Sequence, residues 1–301
     1  MRVVGRGSYR GLALAAALAC FALVPATASA ATSLGQTSPP SSCDGGTFEG
    51  VQIATGNPPS YAVPAGGGVI TSWSQLASPA LTQSAKLKLW RPTGAALTFR
   101  VVGASDLRAL SPSVLNTFPT RIPVQSGDLV GLGWTAPVGP SQVGCQFSTS
   151  SPGDQFGGHP GDTPTGGETS FGSGSNFRIN VSATLEPDAD NDGFGDETQD
   201  GCPTDNAAQG PCPVPDTTIT KRPKDKTKKK TATLEFSSSL DGSTFECSVD
   251  GKPFAACASP HTIKVAKGKH SFAVRAVRKG QTDATPATDT WKVKKKKKKK
   301  K

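Results

Sequence analysis

The chain has 301 residues, 34 glycines, 25 prolines, one methionine and a formal net charge of +10. This length suits two modest domains rather than one small core, and the lack of long apolar stretches at the 3.6-residue period argues against a helical fold. The charge is unevenly spread, since residues 216–301 contain 23 basic and 8 acidic residues whereas residues 31–215 contain 7 and 15. The basic character therefore belongs to the last third of the chain.

Residues 1–30 have the pattern of a secretory leader. A basic start with Arg2, Arg6 and Arg10 is followed by an apolar run over residues 12–24 and then by small residues at positions 28–30. This order predicts a signal peptide that is cleaved after Ala30. Because the apolar run is too short to span a bilayer and ends at Pro25, we expect no transmembrane segment once the leader is removed.

Export would place the mature chain outside the cell, either free or held at the cell surface. A lipid on Cys20 would be one means of attachment, but alanine occupies position 17, where such anchors usually carry leucine. We therefore predict a secreted, extracellular protein and leave association with the cell surface open.

Six of the seven cysteines follow the leader, at Cys43, Cys145, Cys202, Cys212, Cys247 and Cys257. An even number in an exported chain indicates disulfides, although many pairings are possible and the sequence does not fix one. Clustering favours Cys202 with Cys212 and Cys247 with Cys257, which leaves Cys43 with Cys145. Zinc is not favoured, because the chain has no CxxC motif and no histidines at ligand spacing.

The first part of the mature chain is expected to be an all-β domain behind a short lead-in. Residues 31–42 are rich in Thr, Ser and Pro and predict a flexible segment. Residues 43–186 contain short alternating runs between Gly, Pro and Ser, which favour a β-sandwich or jelly roll. The candidate strands are residues 69–73, 87–90, 97–102, 129–134 and 177–185. Residues 148–175 are so rich in Gly, Ser, Pro and Thr that they predict a long surface loop.

Four aromatic residues of this domain allow a second interpretation. Tyr61, Trp73, Trp90 and Trp134 could stack on sugar rings. Each tryptophan lies in or beside an apolar strand, so positions in the core are favoured. Glycan binding by residues 43–186 is therefore the alternative function.

Residues 187–214 contain the most specific chemical motif of the chain. Aspartates at alternate positions followed by glycine suit a hard cation, because side-chain oxygens converge, the glycine allows a sharp turn and a main-chain carbonyl adds a ligand. The predicted ligands are Asp188, Asp190, Asp192, Phe194 through its carbonyl, Asp196 and Asp200. Without a cation these carboxylates would repel one another. Calcium is favoured over magnesium, since a flexible site with many oxygens suits the larger ion.

The motif, together with Cys202 and Pro203, resembles the thrombospondin type 3 repeat. This resemblance implies calcium held by a chain with little regular structure and stapled by cysteines. Asp188, Asp190, Asp192 and Asp196 match the ligand positions of that family, whereas Asp200 and Cys202 fall one residue later than its commonest form. An ion bound here would stiffen the joint between two domains.

Residues 215–293 carry a second resemblance. Phe245 to Pro260 reads FECSVDGKPFAACASP and Gly268 to Val277 reads GKHSFAVRAV, a pattern similar to an immunoglobulin-like repeat of bacterial exported proteins. The resemblance implies an immunoglobulin-like β-sandwich that acts as a spacer or adhesion module. Asp250-Gly251 also predicts a hairpin turn on its own chemistry, and His270 is interpreted as a structural strand residue.

Two basic runs flank this domain, at residues 221–230 and in the polylysine tail at residues 294–301. They are either solvated or bind an anionic cell-envelope or matrix polymer. No aromatic interleaving or nucleic-acid motif accompanies them, so sequence-specific nucleic-acid binding is not expected.

No catalytic motif was found. The chain lacks GxSxG, HExxH and P-loop patterns. His159 could pair with a carboxylate such as Asp154 or Asp162, but spacing within a loop does not define the geometry of a catalytic site. We predict a secreted, non-enzymatic, calcium-binding structural or adhesion protein.

Overall fold

The computed structural model describes residues 30–43, 45–80, 82–139 and 143–294. The predicted leader up to residue 29 and the tail from residue 295 lie outside the described residues. Every helix or strand assigned within these ranges is a strand, so this part of the chain contains no helix that could cross a membrane. The prediction of an all-β fold is confirmed.

The strands form two groups separated by a linker without strands. The first group is β1 Thr32–Gln36, β2 Ser41–Cys43, β3 Gly46–Ala54, β4 Gly68–Leu76, β5 Ser84–Pro92, β6 Thr98–Ala104, β7 Arg108–Ala109, β8 Leu115–Val124, β9 Leu129–Ala136, β10 Val143–Ser148, β11 Gln155–Pro160, β12 Glu168–Ser170, β13 Gly172–Ser175, β14 Phe177–Ile179 and β15 Val181–Glu186. The second group is β16 Thr217–Lys221, β17 Lys226–Thr227, β18 Thr231–Ser238, β19 Thr244–Val249, β20 Ala255–Cys257, β21 His261–Lys264, β22 Gly268–Arg278, β23 Gln281–Thr282 and β24 Ala287–Val293.

The first group forms a sandwich. One sheet has the order β1-β15-β4-β8, and the larger sheet has the order β12-β6-β5-β9-β3-β11-β13 with β7 beside β5. A third, small sheet has the order β14-β10-β2. Alternate residues of β5 and β9, such as Leu87, Leu89 and Leu132, point into the core between the sheets and meet Ile70 and Trp73 of β4.

The outer face of the larger sheet is also apolar. Trp90, Phe99 and Leu129 form a second buried cluster there with Phe171. The Phe171 ring packs edge-on against Trp90, with ring centroids 4.8 Å apart. The segment of residues 160–171, here called the cover segment, therefore lies over this face.

Two sequence expectations about irregular segments were wrong. The lead-in over residues 31–42 contains β1 and β2, because Leu34 enters the core and β1 pairs along β15 from Thr32 opposite Leu185 to Gln36 opposite Val181. Residues 148–175 are not one surface loop, since they contain β11, β12 and β13 and bury Phe171. The composition hid these strands because Thr, Ser and Gly also serve as loop residues.

The second group forms a smaller sandwich, as the immunoglobulin-like pattern implied. A sheet of β16-β18-β21 faces a sheet of β17-β24-β22-β19-β20. Phe236, Phe272 and Trp291 fill the core between them. Asp250 and Gly251 have φ of 53° and 74°, and the Lys252 amide donates to the Val249 carbonyl at 3.2 Å, which is the tight turn predicted after β19.

Three disulfides join the pairs that the clustering favoured. Cys43–Cys145 links β2 to β10, Cys247–Cys257 links β19 to β20, and Cys202–Cys212 closes a loop within the linker. The corresponding Cα–Cα distances are 5.9, 5.8 and 4.7 Å.

Candidate calcium centre in the linker

The start of the linker is fixed to the first sandwich by a buried carboxylate. Glu186, the last residue of β15, accepts hydrogen bonds from the Glu197 and Thr198 amides at 3.0 and 2.9 Å and from the Thr198 and Thr71 hydroxyls at 2.7 and 2.8 Å. Although burial favours the protonated form, these hydrogen bonds hold the pKa of Glu186 below its usual value. The linker therefore turns back onto the sheet that it has just left.

Two further contacts hold the same part of the linker. The Gln199 side-chain amide donates to the Thr120 carbonyl at 2.9 Å, and the Arg121 guanidinium lies 4.0 Å from the centroid of the Phe194 ring. Gly195 lies so close to Glu186 that an added Cβ would be 2.5 Å from Oε2. Glycine is required there by this close approach.

Three aspartates converge in the turn that follows. Asp188, Asp190 and Asp192 each place a carboxylate oxygen within 4.8 Å of the others. The Asp192 and Gly193 amides donate to the two Asp188 oxygens at 3.0 and 3.1 Å, and the Phe194 amide donates to Asp192 Oδ1 at 2.8 Å. Gly193, with a φ of 85°, allows the turn that brings them together.

Asp190 is the least compensated of these groups. Both of its carboxylate oxygens are buried without a hydrogen-bond partner among the described residues, and Asp200 Oδ2 is in the same situation. Burial, followed by the charges of Asp192, Asp200 and Asp188, raises the pKa of Asp190 and outweighs the opposing effect of the nearby Asp192 amide, whose own hydrogen bond goes to Asp188. A buried carboxylate that lacks donors is costly unless a positive charge approaches it.

The other predicted ligands lie near this cluster to different degrees. Asp196 accepts hydrogen bonds from the Ala189 amide at 3.3 and 3.2 Å, and burial together with the neighbouring aspartates raises its pKa. Asp200 accepts from the Cys202 amide at 2.7 Å through its other oxygen. For Phe194 the structure places the ring against Arg121, and its amide rather than its carbonyl makes the contact with Asp192. The side chains of the predicted ligand set offer only carboxylate oxygens, which suit a hard cation.

The end of the linker contacts the second sandwich. Asp205 accepts hydrogen bonds from Lys279 Nζ at 2.7 Å and from Arg278 at 2.5 Å, at the end of β22. These bonds lower the pKa of Asp205 to about 2. Gln209, inside the disulfide loop, donates to Asp192 Oδ2 at 2.8 Å. Sequence reasoning missed Glu186, Gln209 and Asp205, because nothing near them in the chain identifies their partners.

The other candidate residues, four aromatic side chains and His159, do not form the predicted sites. Tyr61, Trp73, Trp90 and Trp134 are at most 5 % exposed, so they are core residues and do not form an exposed platform for sugar rings. His159 pairs with neither predicted carboxylate, since its Nδ1 is 3.3 Å from Glu49 Oε1.

Asp154 and Asp162, the predicted partners of His159, are paired with basic residues instead. Asp154 holds Arg178 at 2.8 Å, and Asp162 holds Lys86 and Lys88 at 2.6 and 2.7 Å. Lys88 also contacts Glu49, and both side chains are completely buried beneath the cover segment. This ion cluster was not predicted from the sequence.

Comparisons with known proteins add little to this picture. No protein-family model matches the chain, and no match was found among curated proteins. Among solved structures it is similar to fibronectin(III)-like modules of Clostridium thermocellum CbhA, with 12% identity over 80% of this chain and 94% of that chain and a TM-score of 0.24. It is also similar to the glycoside hydrolase domain of Endo-D from Streptococcus pneumoniae R6, with 12% identity over 87% of this chain and 37% of that one and a TM-score of 0.21. A biofilm-associated protein BSP domain matches with 10% identity over 87% and 51% of the two chains and a TM-score of 0.19. Likenesses this weak assign neither a family nor a function.

Proposed function

We propose that this chain is an exported structural or adhesion protein in which calcium, bound by the linker, stiffens the joint between two β-sandwiches. The observation that carries the proposal is Asp190, whose two carboxylate oxygens are buried and have no donor in the described part of the chain. Asp188 and Asp192 supply further oxygens beside it. A divalent cation would compensate all three charges at once.

Each end of the linker has a distinct task in this proposal. Glu186 holds residues 197–198 on the first sandwich, and Asp205 contacts the second sandwich. Neither contact needs a metal. Asp188, Asp190 and Asp192, with Asp196, Asp200 and the Phe194 carbonyl, would hold the ion between them. The bound ion would supply positive charge, and the chain's own contacts would transmit the resulting order to both domains.

Export is supported by the leader pattern at residues 1–30 and by the three disulfides, which persist in oxidising compartments. Calcium is plentiful outside cells, so a weak site would be filled constantly and would act as a structural element, not as a sensor. We propose no catalytic role. For glycan binding, no described residue gives comparable support, since the four aromatic candidates are in the core.

Calorimetry tests the metal site directly. Calcium is titrated into the full chain after chelator treatment, and into a variant with Asp190→Ala and Asp192→Ala. We expect binding heat from the wild type and none from the variant, because two of the three convergent carboxylates are gone. A matched control with Asp106→Ala and Asp241→Ala removes two exposed carboxylates outside the linker and should bind like the wild type. Equal heats from all three proteins would reject calcium binding by the linker.

A further inference from the structure

The first basic run of the second sandwich lies beside Lys294, the first residue of the lysine tail, in the structure. Strand β17 pairs in parallel with β24, with Lys226 opposite Lys292 and Thr227 opposite Val293. The Lys294 amide then donates to the Thr227 carbonyl at 2.8 Å. Lysines that are far apart in sequence, Lys226 and Lys294, are therefore brought to one edge of one sheet.

Five lysines meet where this edge ends. Lys228, Lys229, Lys230, Lys267 and Lys294 line one concave surface together with Thr231 and Val293, and no carboxylate lines it. All five side chains are exposed. No ion pair involving them occurs among the described residues, whereas Lys86, Lys88, Lys221 and Lys279 are each paired with a carboxylate. We call this surface the lysine cluster.

The lysine cluster lies at the end of the second sandwich that is remote from the linker. Strand β22 begins at Gly268, opposite Val293 beside the cluster, and ends at Arg278, which contacts the linker residue Asp205. At about 3.3 Å per residue, this strand separates the two ends by roughly 30 Å. The remaining lysines of the tail, residues 295–301, follow directly after the cluster in the sequence.

We infer that the lysine cluster is a binding site for a linear polyanion with phosphate groups along its backbone, such as a phosphodiester polymer of the cell envelope. Lysines that are gathered without carboxylate partners attract an extended anion. The small cations condensed on that anion are released when it binds, and this release favours binding. Lysine ammonium groups are point charges, which suit repeated phosphates without demanding bidentate geometry. No aromatic side chain lines the surface, so stacking of nucleic-acid bases has no platform there.

This inference rests on the proposed adhesion role and names the class of partner, but it does not depend on calcium. Residues 31–215 contain 15 acidic and 7 basic residues, whereas residues 216–301 contain 8 acidic and 23 basic residues, the lysine cluster among them. The net charge is therefore negative before the second sandwich and positive within it, and the second sandwich would act as a spacer between joint and polymer.

Salt dependence of binding tests the site. Long-chain inorganic polyphosphate is the probe, and the full chain, tail included, is measured in chelator at several NaCl concentrations. The test variant carries Lys228→Gln, Lys229→Gln and Lys230→Gln. The control carries Arg100→Gln, Arg108→Gln and Arg275→Gln, which removes the same charge from groups outside both basic runs. The slope of log K against log salt is negative. We expect its magnitude to decrease by about 2–3 in the test variant and to stay unchanged in the control.

Two results would overturn the inference. Equal slopes for test and control variants would mean that net charge or the tail alone attracts the probe. Tighter binding of single-stranded DNA than of polyphosphate of equal charge would reject the assigned class of partner. Thermal melting curves that coincide for all three proteins would establish that folding is unaffected. Because the assay contains chelator, its outcome is independent of the calcium titration.

Discussion

Replacing Lys88 by methionine should destabilise the first sandwich strongly. The Lys88 ammonium is completely buried, contacts the buried Glu49 carboxylate, and donates to the Thr163 carbonyl at 2.8 Å, with Asp162 Oδ1 2.7 Å away. Methionine fills the space but removes the charge, so the Glu49 carboxylate is left buried with hydrogen bonds from Thr163 and with His159 Nδ1 3.3 Å away. Breaking a buried pair in this way costs about 3–5 kcal/mol. That is a large share of the roughly 5–15 kcal/mol that stabilises a typical domain.

Two further variants separate burial from charge. Lys86→Met removes a partly exposed lysine of the same strand, whose ammonium lies 2.6 Å from Asp162. Its loss should lower the free energy of unfolding by less than about 1 kcal/mol. Lys88→Met combined with Glu49→Leu removes both buried charges and should be less damaging than Lys88→Met alone. The remaining loss comes from Thr163 groups without partners, at about 1–3 kcal/mol.

Urea unfolding followed by tryptophan fluorescence measures these differences. Trp90 lies 5.3 Å from Lys88 Nζ and reports on the first sandwich, while Trp291 reports on the second. The second transition should not move in any variant and serves as an internal control. A loss below about 1 kcal/mol for Lys88→Met, or a double variant less stable than the single one, would refute the reasoning.

Three other predictions follow from individual contacts. In the second sandwich, His270 Nδ1 lies 2.9 Å from Asp250. This hydrogen bond raises the pKa of His270 above 6.5. Burial disfavours ionisation of Asp250, but the same hydrogen bond lowers the pKa of Asp250 below 3.8. The pair should therefore stabilise the domain fully between about pH 4 and pH 6.5, with loss as the pH rises through the folded His270 pKa or falls through that of Asp250, so that thermal melting of His270→Gln loses this pH dependence. Gly195→Ala should push the linker away from Glu186 at a cost of about 1–3 kcal/mol, detectable as faster amide exchange in the linker and disproved by unchanged exchange. Asp205→Asn should release the linker from the second sandwich and speed limited proteolysis between the domains, whereas an unchanged cleavage rate would contradict that contact.

Residue alternation predicted β4, β5, β6, β9 and the region of β14 and β15 but missed the other strands of the first sandwich, and it did not show which faces are covered. Leu87 and Leu89 identify β5, and by the same alternation Lys88 should point to solvent. It is buried instead, because the cover segment closes the outer face of the sheet. That closure depends on Phe171, which is remote in sequence. An added Cβ at Gly157 would be 2.8 Å from the Phe171 Cβ, so this glycine, one of those that suggested a loop, leaves room for the Phe171 side chain.

The candidate calcium site also combines local contacts, which the sequence predicts, with distant contacts, which it does not. The aspartate spacing is local, since residues 188–192 form one turn through their own amides, and the sequence alone could predict their convergence. The supports of the turn are not local. Glu186 accepts hydrogen bonds from the Thr71 and Thr198 hydroxyls. Asp205 accepts hydrogen bonds from Arg278 and Lys279, which follow it by more than seventy residues. No pattern in a single sequence identifies such partners, because they depend on how the sheets pack.

This division between local and distant contacts gives the calcium proposal a residue-level test. The amides of Asp192, Gly193 and Phe194 donate to aspartate side chains of the turn, so their order depends on whether those carboxylates are compensated. The Thr198 amide donates to Glu186, which is held by the sheet and needs no ion. Adding chelator to the calcium-loaded protein should therefore speed hydrogen exchange at the first three amides and leave Thr198 protected. Exchange that rises equally at all four amides would mean that the ion orders the whole linker, and exchange that rises at none would mean that the turn is formed by the chain alone.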